Sequence, residues 1–281
     1  MINPYCTLEE LKAWGTTRGQ AASIDAMDDA VMESIIEGVS RQIDQYCART
    51  FYPRYETHYL TVPYGQNDNS ILFLDDDLLT VVTLTNGNGV AIASTEYSLK
   101  PKNISPAYAL QMISTSAYIW EPTTAGAYEN AIALAGWWGF HNRYTQRAFV
   151  SGGTLGAAMA DTTTKSCTLT AGHTVKPGDI IRIDSELFNV TAVTATTATF
   201  YQRGDNGTAA ATHLINSIVY VWQTIPEIKQ AVLQTALNIY AGRSGQSSAG
   251  QITVTASGVI IRPADIPAMV QKSLDGFVRR L

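Results

Sequence analysis

The chain is short of charge, of cysteine and of histidine, and each shortage closes off a class of function. Lys, Arg, Asp and Glu make up 15% of its 281 residues, against roughly 25% in an average soluble domain. With 19 Lys and Arg against 24 Asp and Glu, the formal net charge is -5. The cationic surplus that displaces counterions from nucleic-acid phosphates is missing, so DNA is expected to pass such a surface without being gripped. The three cysteines, Cys6, Cys47 and Cys167, are far apart and form no C-x-x-C pair, which signals neither a disulfide framework nor a zinc site. His58, His141, His173 and His213 each stand alone in sequence, without ligand-like spacing to a Cys, Asp or second His. No metal or cofactor is expected. H-E-x-x-H, G-x-S-x-G and G-x-x-x-x-G-K-[ST] are all absent, and Gly152, Gly153 and Gly156 lack the strand and helix context of a nucleotide loop. The chain therefore reads as a non-enzyme. Its start shows no basic segment ahead of an apolar run, and nothing nears the ~18 consecutive apolar residues of a membrane span, so neither an export signal nor a membrane partner is expected.

Hydrophobic residues reach 46%, enough for one large core or two modest ones. Thr7 and Glu10 have capping-box spacing ahead of a short helix ending near Gly15. Val31, Ile35, Val39, Ile43 and Tyr46 recur at near-helical spacing and predict a long amphipathic helix from Asp28. Past Arg49 the pattern becomes strand-like: 55–62, 71–74, 78–85 and 90–99, with a turn at Asn86-Gly87 and a further buried strand within 126–140. From about residue 148 the chain turns to Gly, Ser, Thr and Ala, with short β-branched runs at 180–183, 187–193, 198–202 and 218–222. Helical spacing returns at Thr224, with Pro226 in the first turn. A Gly/Ser stretch at 242–250, a strand or hairpin arm over 252–261 and a terminal helix over 266–281 complete the chain.

The fold class expected from this order is α+β. A helical domain with a small antiparallel sheet, residues 1–147 plus 223–281, is interrupted by an all-β insertion of 148–222, a small barrel or sandwich.

Tyr5-Cys6-Thr7-Leu8-Glu9-Glu10-Leu11-Lys12 and the helix end Ser40-Arg41-Gln42-Ile43-Asp44-Gln45-Tyr46-Cys47-Ala48-Arg49-Thr50-Phe51 resemble the head-tail connector (adaptor, or head-completion) family of tailed bacteriophages. So do Leu72-Phe73-Leu74-Asp75-Asp76-Asp77-Leu78-Leu79, Glu96-Tyr97-Ser98-Leu99 and Gly136-Trp137-Trp138-Gly139-Phe140, in that order along the chain. The likeness covers the first half and the helix from Thr224, and departs from the family at 151–222. It implies a structural virion protein at the head-tail interface, assembled in the host cytoplasm. Such proteins form rings of about twelve copies beneath the portal protein. They extend the channel for genomic DNA and offer a docking surface to tail or tail-completion proteins. Two rivals carry less weight: a tail or baseplate protein whose β module binds a host surface glycan, and a cell-wall hydrolase with carboxylates across a cleft.

Three sets of residues are candidates on this reading. Asp75, Asp76 and Asp77 read first as a solvated turn; facing a channel, they would repel phosphates and keep a duplex mobile. Ile252, Val254, Ile260, Ile261, Arg262, Arg279 and Arg280 would contact the portal or a neighbouring copy. Arg203, Asp205 and Asn206 would shape the tip of the β insert. The aromatics Trp137, Trp138, Tyr144 and Phe149 read as packing.

Overall fold

The computed structural model describes residues 1–17, 26–63, 70–243, 253–254, 260–261 and 266–279, and the chain forms two compact units. It is mixed α and β, mostly sheet.

One unit comprises Arg49–Ala148 with Asn206–Thr208. Its strands are β1 (Arg54–Leu60), β2 (Ile71–Thr85), β3 (Tyr97–Lys100), β4 (Ala107–Met112) and β5 (Ile132–Trp138), followed by a single helical turn α3 (Tyr144–Arg147). They form an antiparallel sheet in the order β1-β5-β2-β4-β3. Leu60, Leu72, Leu110, Ile132, Leu134 and Trp138 are buried together on one face, each such side chain contributing about 1.5–3 kcal/mol on leaving water. β5, the buried apolar strand expected within 126–140, pairs with both β1 and β2. Gly136 is needed there, because a Cβ at that position would lie 2.5 Å from the Thr80 carbonyl oxygen.

Two strand expectations are corrected in this unit. Residues 71–74 and 78–85 are one continuous strand, not two joined by a turn. It pairs with β4 through Ile71 to Phe73 and again at Leu78, the register of that ladder shifting across the stretch that holds Asp75 to Asp77, and with β5 from Leu78 onward. The strand expected over 90–99 is reduced to β3, since the chain after Asn86-Gly87 folds back on β2 through Val90 O accepting from Asn86 N and Leu84 O from Ile92 N, both at 2.8 Å.

The other unit comprises Met1–Ala48, Phe149–Asp205 and Ala209–Leu281. It contains α1 (Leu8–Thr17), α2 (Ala26–Cys47), β6 (Phe149–Thr154), β7 (Ser166–Thr168), β8 (Ile180–Ile183), β9 (Glu186–Thr194), β10 (Thr197–Phe200), β11 (Ile218–Trp222), α4 (Pro226–Arg243), β12 (Thr253–Val254), β13 (Ile260–Ile261) and α5 (Ala268–Leu274). Six strands form an antiparallel sheet ordered β6-β11-β8-β9-β10-β7. Its outer strands meet at one bridge, Leu155 opposite Leu169, so the sheet is not a closed barrel. Ile181, Ile183, Phe188, Phe200 and Val219 fill its core.

The capping box of α1 is formed as expected: Glu10 N donates to Thr7 Oγ1 at 3.2 Å and Thr7 N to Glu10 Oε2 at 2.9 Å. α2 and α4 pack together, α1 lies against both, and α5 lies on α4. The buried stripe of α2 is Met32, Ile36, Val39, Ser40 and Ile43, rotated by one residue in its first half from the expected Val31 and Ile35, which are only half-buried. Nearly every side of α4 is covered, with Ile228, Ala231, Val232, Thr235 and Ala236 all buried.

This grouping differs from the expected 1–147 plus 223–281 around an insert of 148–222. The terminal helices share a unit with the second sheet because the N-terminal segment is tied to it. Asn3 N donates to Asn189 Oδ1 on β9 at 2.8 Å, and Glu9 on α1 pairs with Lys176 at 3.0 Å.

Candidate functional site

In the first unit, Arg54, Glu56 and His58 alternate along β1 and so point to one side, where they meet the acidic stretch of β2. Asp77 is wholly buried and accepts from Arg49 Nη1 at 3.1 and 3.2 Å. Asp76 pairs with Arg54. Asp75 Oδ1 lies 2.8 Å from His58 Nδ1, and Glu56 Oε2 lies 3.0 Å from His58 Nε2. The His58 ring stacks on Trp138 with centroids 3.7 Å apart. Burial works against a charged His58, yet its hydrogen bonds to Glu56 and Asp75 raise its pKa. The bond from His58 in turn lowers that of Glu56.

The solvated-turn reading of these aspartates is therefore overturned. They sit within a strand because each carboxylate has a base opposite it, and only Asp75 is exposed, its side chain at 62%. Asp77 has no surface to show to a channel. Both nitrogens of His58 face carboxylates, so the ring bridges two strands and has no free nitrogen to offer a substrate proton or a metal.

A second polar cluster organises the six-stranded sheet. Glu186 is fully buried and accepts five hydrogen bonds: from Arg203 Nε and Nη2 at 2.9 Å each, from Gly204 N at 2.8 Å, and from Ala211 N and His213 Nε2 at 2.9 Å. Burial alone would raise the Glu186 pKa; the bonds from His213 and Arg203 and from the two amides overrule it and hold the carboxyl at about 2. His213 places its other nitrogen 2.7 Å from Asp184 Oδ2, and these two carboxylates raise its pKa against the effect of burial. Arg203 also donates to the carbonyls of Asp161 at 2.9 Å and Ala211 at 2.6 Å.

Arg203, Asp205 and Asn206 are accordingly not an exposed tip. The Arg203 side chain is 5% exposed, and Asp205 is buried and accepts from Asn189 N at 2.7 Å. Burial raises the Asp205 pKa. The turn expected here does form, with positive φ at Gly204, Asn206 and Gly207, but it is held inward by Glu186. Sequence reasoning missed Glu186 and His213 as a pair. The one available hint was a carboxylate immediately before the apolar Leu187 and Phe188, at the head of a core strand.

Among the C-terminal candidates, Ile252, Arg262 and Arg280 lie outside the described residues. Val254, Ile260 and Ile261 fall in the hairpin β12–β13. Arg279 N donates to Cys47 O at 2.8 Å, Tyr46 Oη donates to Asp275, and Val270 and Leu274 are buried. The last helix is thus part of the chain's own helical layer. The expected aromatic packing is present: Trp137 and Trp138 are buried, and Phe149 meets Trp222 edge-on at 5.0 Å.

The first unit also bears a cleft of about 1090 Å³, lined by Ser98, Lys100, Gln111, Tyr118, Ile119 and Tyr128 among others. That is slightly above the range of roughly 300–1,000 Å³ usual for ligand sites. Among the described residues, no group of three or more His, Cys, Asp or Glu is placed to hold a metal ion, and no helix is long and apolar enough to cross a membrane. No protein-family model matches the chain, and no curated protein matches it.

Proposed function

We propose that this protein is a non-enzymatic virion subunit of a tailed phage, a head-tail connector that closes into a ring between portal and tail. The order of the resembling segments along the chain is the basis of the reading. The observation that carries it furthest is the packing of α2 on α4, two helices about 180 residues apart that the connector reading expects to form one wall. Tyr240 on α4 donates to Asp28 on α2 at 2.6 Å, tying the pair at one end.

The distribution of charge is in keeping with such a role. Arg49, Arg54 and Arg203 are consumed by internal carboxylates, while Tyr59, Phe73, Ile119, Leu214, Ile215 and Met269 stand more than half exposed. Apolar groups of that size on a weakly charged surface fit a protein that lives against neighbours. DNA would pass through the ring without tight binding, a reading supported by the net charge of -5.

Electron microscopy of the purified chain, alone and mixed with portal protein, tests the reading. A collar of regular copy number that sits on portal particles is the expected result. A protein that stays monomeric at high concentration and leaves portal particles bare would rule it out.

A further inference from the structure

Each of the two larger sheets ends in two outer strands, and three of those four are covered. Tyr55 N on β1 donates to Asn206 O at 2.8 Å, and Gly207 lies so close that a Cβ there would be 2.1 Å from the Tyr55 carbonyl oxygen. On β6, Gly152 O and Thr154 O accept from Thr174 N and Thr170 N, both at 2.9 Å, and at the end of β7 Thr168 O accepts from Gly156 N at 2.8 Å. β3 is the fourth. Among the described residues no strand pairs with its outer side, and an open edge is a template for another strand.

The ladder fixes which groups that edge offers. Met112 N turns toward β2, donating to Ser70 O at 3.0 Å, whereas Ile113 N turns toward β3, donating to Glu96 O at 3.1 Å. Residues of an antiparallel strand address its two neighbours alternately, so Gln111 and Ala109 also face β3. Their partners are Ser98 and Lys100, which leaves the N–H and C=O of Tyr97 and Leu99 pointing outward. β3 is four residues long and is followed by Pro101. Shortness, a terminal lysine and a proline blunt an edge against open-ended pairing, so this one suits a short guest. Beside it lies the cleft of about 1090 Å³, which Ser98 and Lys100 line together with the exposed Tyr118, Ile119 and Tyr128. The wall that carries Tyr118 and Ile119 is fixed in advance: Asn86 Nδ2 donates to Ile119 O and Trp120 Nε1 to Ser70 O, both at 2.8 Å.

We infer that β3 binds a short, extended, acidic peptide segment of a partner protein, which adds to the sheet as a further strand. The outward amides and carbonyls of Tyr97 and Leu99 supply main-chain pairing, and the cleft takes alternate side chains of the guest. Charge sets the guest's sign. Glu121, in the cleft lining, already accepts from Asn88 Nδ2, and Glu96, ahead of β3, accepts from Ser116 Oγ at 2.7 Å. The lysines paired with carboxylates among the described residues are Lys12, Lys176 and Lys229; Lys100 is exposed and has no such partner. A guest carboxylate therefore meets Lys100, and an apolar guest side chain lies against Tyr118 and Ile119. Because the wall is formed beforehand, the ordering cost falls mainly on the guest. The inference is independent of the ring reading, and its failure would leave that reading untouched.

The test uses the full chain, immobilised, and as probe a displayed library of random peptides of about six residues, roughly 20 Å long when extended. Enrichment of peptides carrying Asp or Glu is expected. The best of them is then synthesised with its alternate amides N-methylated, in each of the two registers. Methylation in one register should weaken binding about tenfold or more, since it removes the donors that face β3, and in the other should leave it unchanged. Lys100→Glu, a change at an exposed side chain whose fold is checked by circular dichroism, should select Lys- or Arg-bearing peptides in place of acidic ones. Three results would each overturn the inference: no enrichment above the bare surface, binding indifferent to methylation in both registers, or the same acidic peptides selected by Lys100→Glu.

Discussion

Replacing Glu186 by Gln tests the energetic centre of the six-stranded sheet. The wild-type carboxylate faces the guanidinium of Arg203 at 5% exposure, the imidazole of His213 at 1% and two backbone amides, all within 2.8–2.9 Å. A neutral amide keeps the shape, loses the charge and turns one acceptor into a donor aimed at groups that themselves donate. Removing one member of a buried ion pair costs about 3–5 kcal/mol, because the stranded charge cannot recover its water. At roughly 2–4 °C per kcal/mol for a body of this size, the Tm should fall by roughly 6–20 °C. Scanning calorimetry supplies the Tm, and urea titration checks that the slope of the transition is unchanged, so that the loss is one of stability and not of compactness. Adding Arg203→Met should cost less than the sum of the two single changes, since the second removes the charge the first left unpaired. A loss below about 1 kcal/mol for Glu186→Gln, within the range of an exposed pair, would refute the claim that this cluster anchors the chain between β10 and β11.

Other outcomes follow from the same geometry. His58 and His213 have folded pKa values raised by paired carboxylates, so their contribution is full below the unfolded value of about 6.5 and is lost as pH rises through the folded values. The Tm should therefore decline as pH rises above about 6.5, and a variant with both histidines replaced by Gln should show a flatter pH profile from a lower start. Asp77→Asn strands Arg49, whose side chain is 10% exposed, and should cost about 3 kcal/mol in urea unfolding; a Tm equal to wild type would show that Arg49 finds another partner. Thr7→Ala removes the side chain that accepts from Glu10 N and should cost about 1 kcal/mol, read by the same titration. Gly136→Ala puts a methyl 2.5 Å from the Thr80 carbonyl and should destabilise the five-stranded sheet by about 1–3 kcal/mol, seen as faster amide exchange along β2 and β5.

What the sequence determined by itself is what depends on a few neighbouring residues. The α1 capping box spans Thr7 to Glu10, the existence of α2 and α4 follows from apolar recurrence within a turn or two, and the short β-branched runs became β8 to β11 near their expected places. Each of these is settled by contacts inside one element. The tertiary structure decided what depends on partners far along the chain. Asp75, Asp76 and Asp77 look like a turn until the bases 17, 22 and 28 positions earlier are brought opposite them; then extension is cheaper than solvation, and the strand runs on. Val31 and Ile35 carry helical spacing as well as Met32 and Ile36 do, and burial in the packed helical layer, not spacing, chose between them. Glu186 and His213, 27 residues apart, carry no local signal as a pair, because a buried charge is tolerable only where the fold delivers its counter-charge, and strand order, not spacing, sets that delivery.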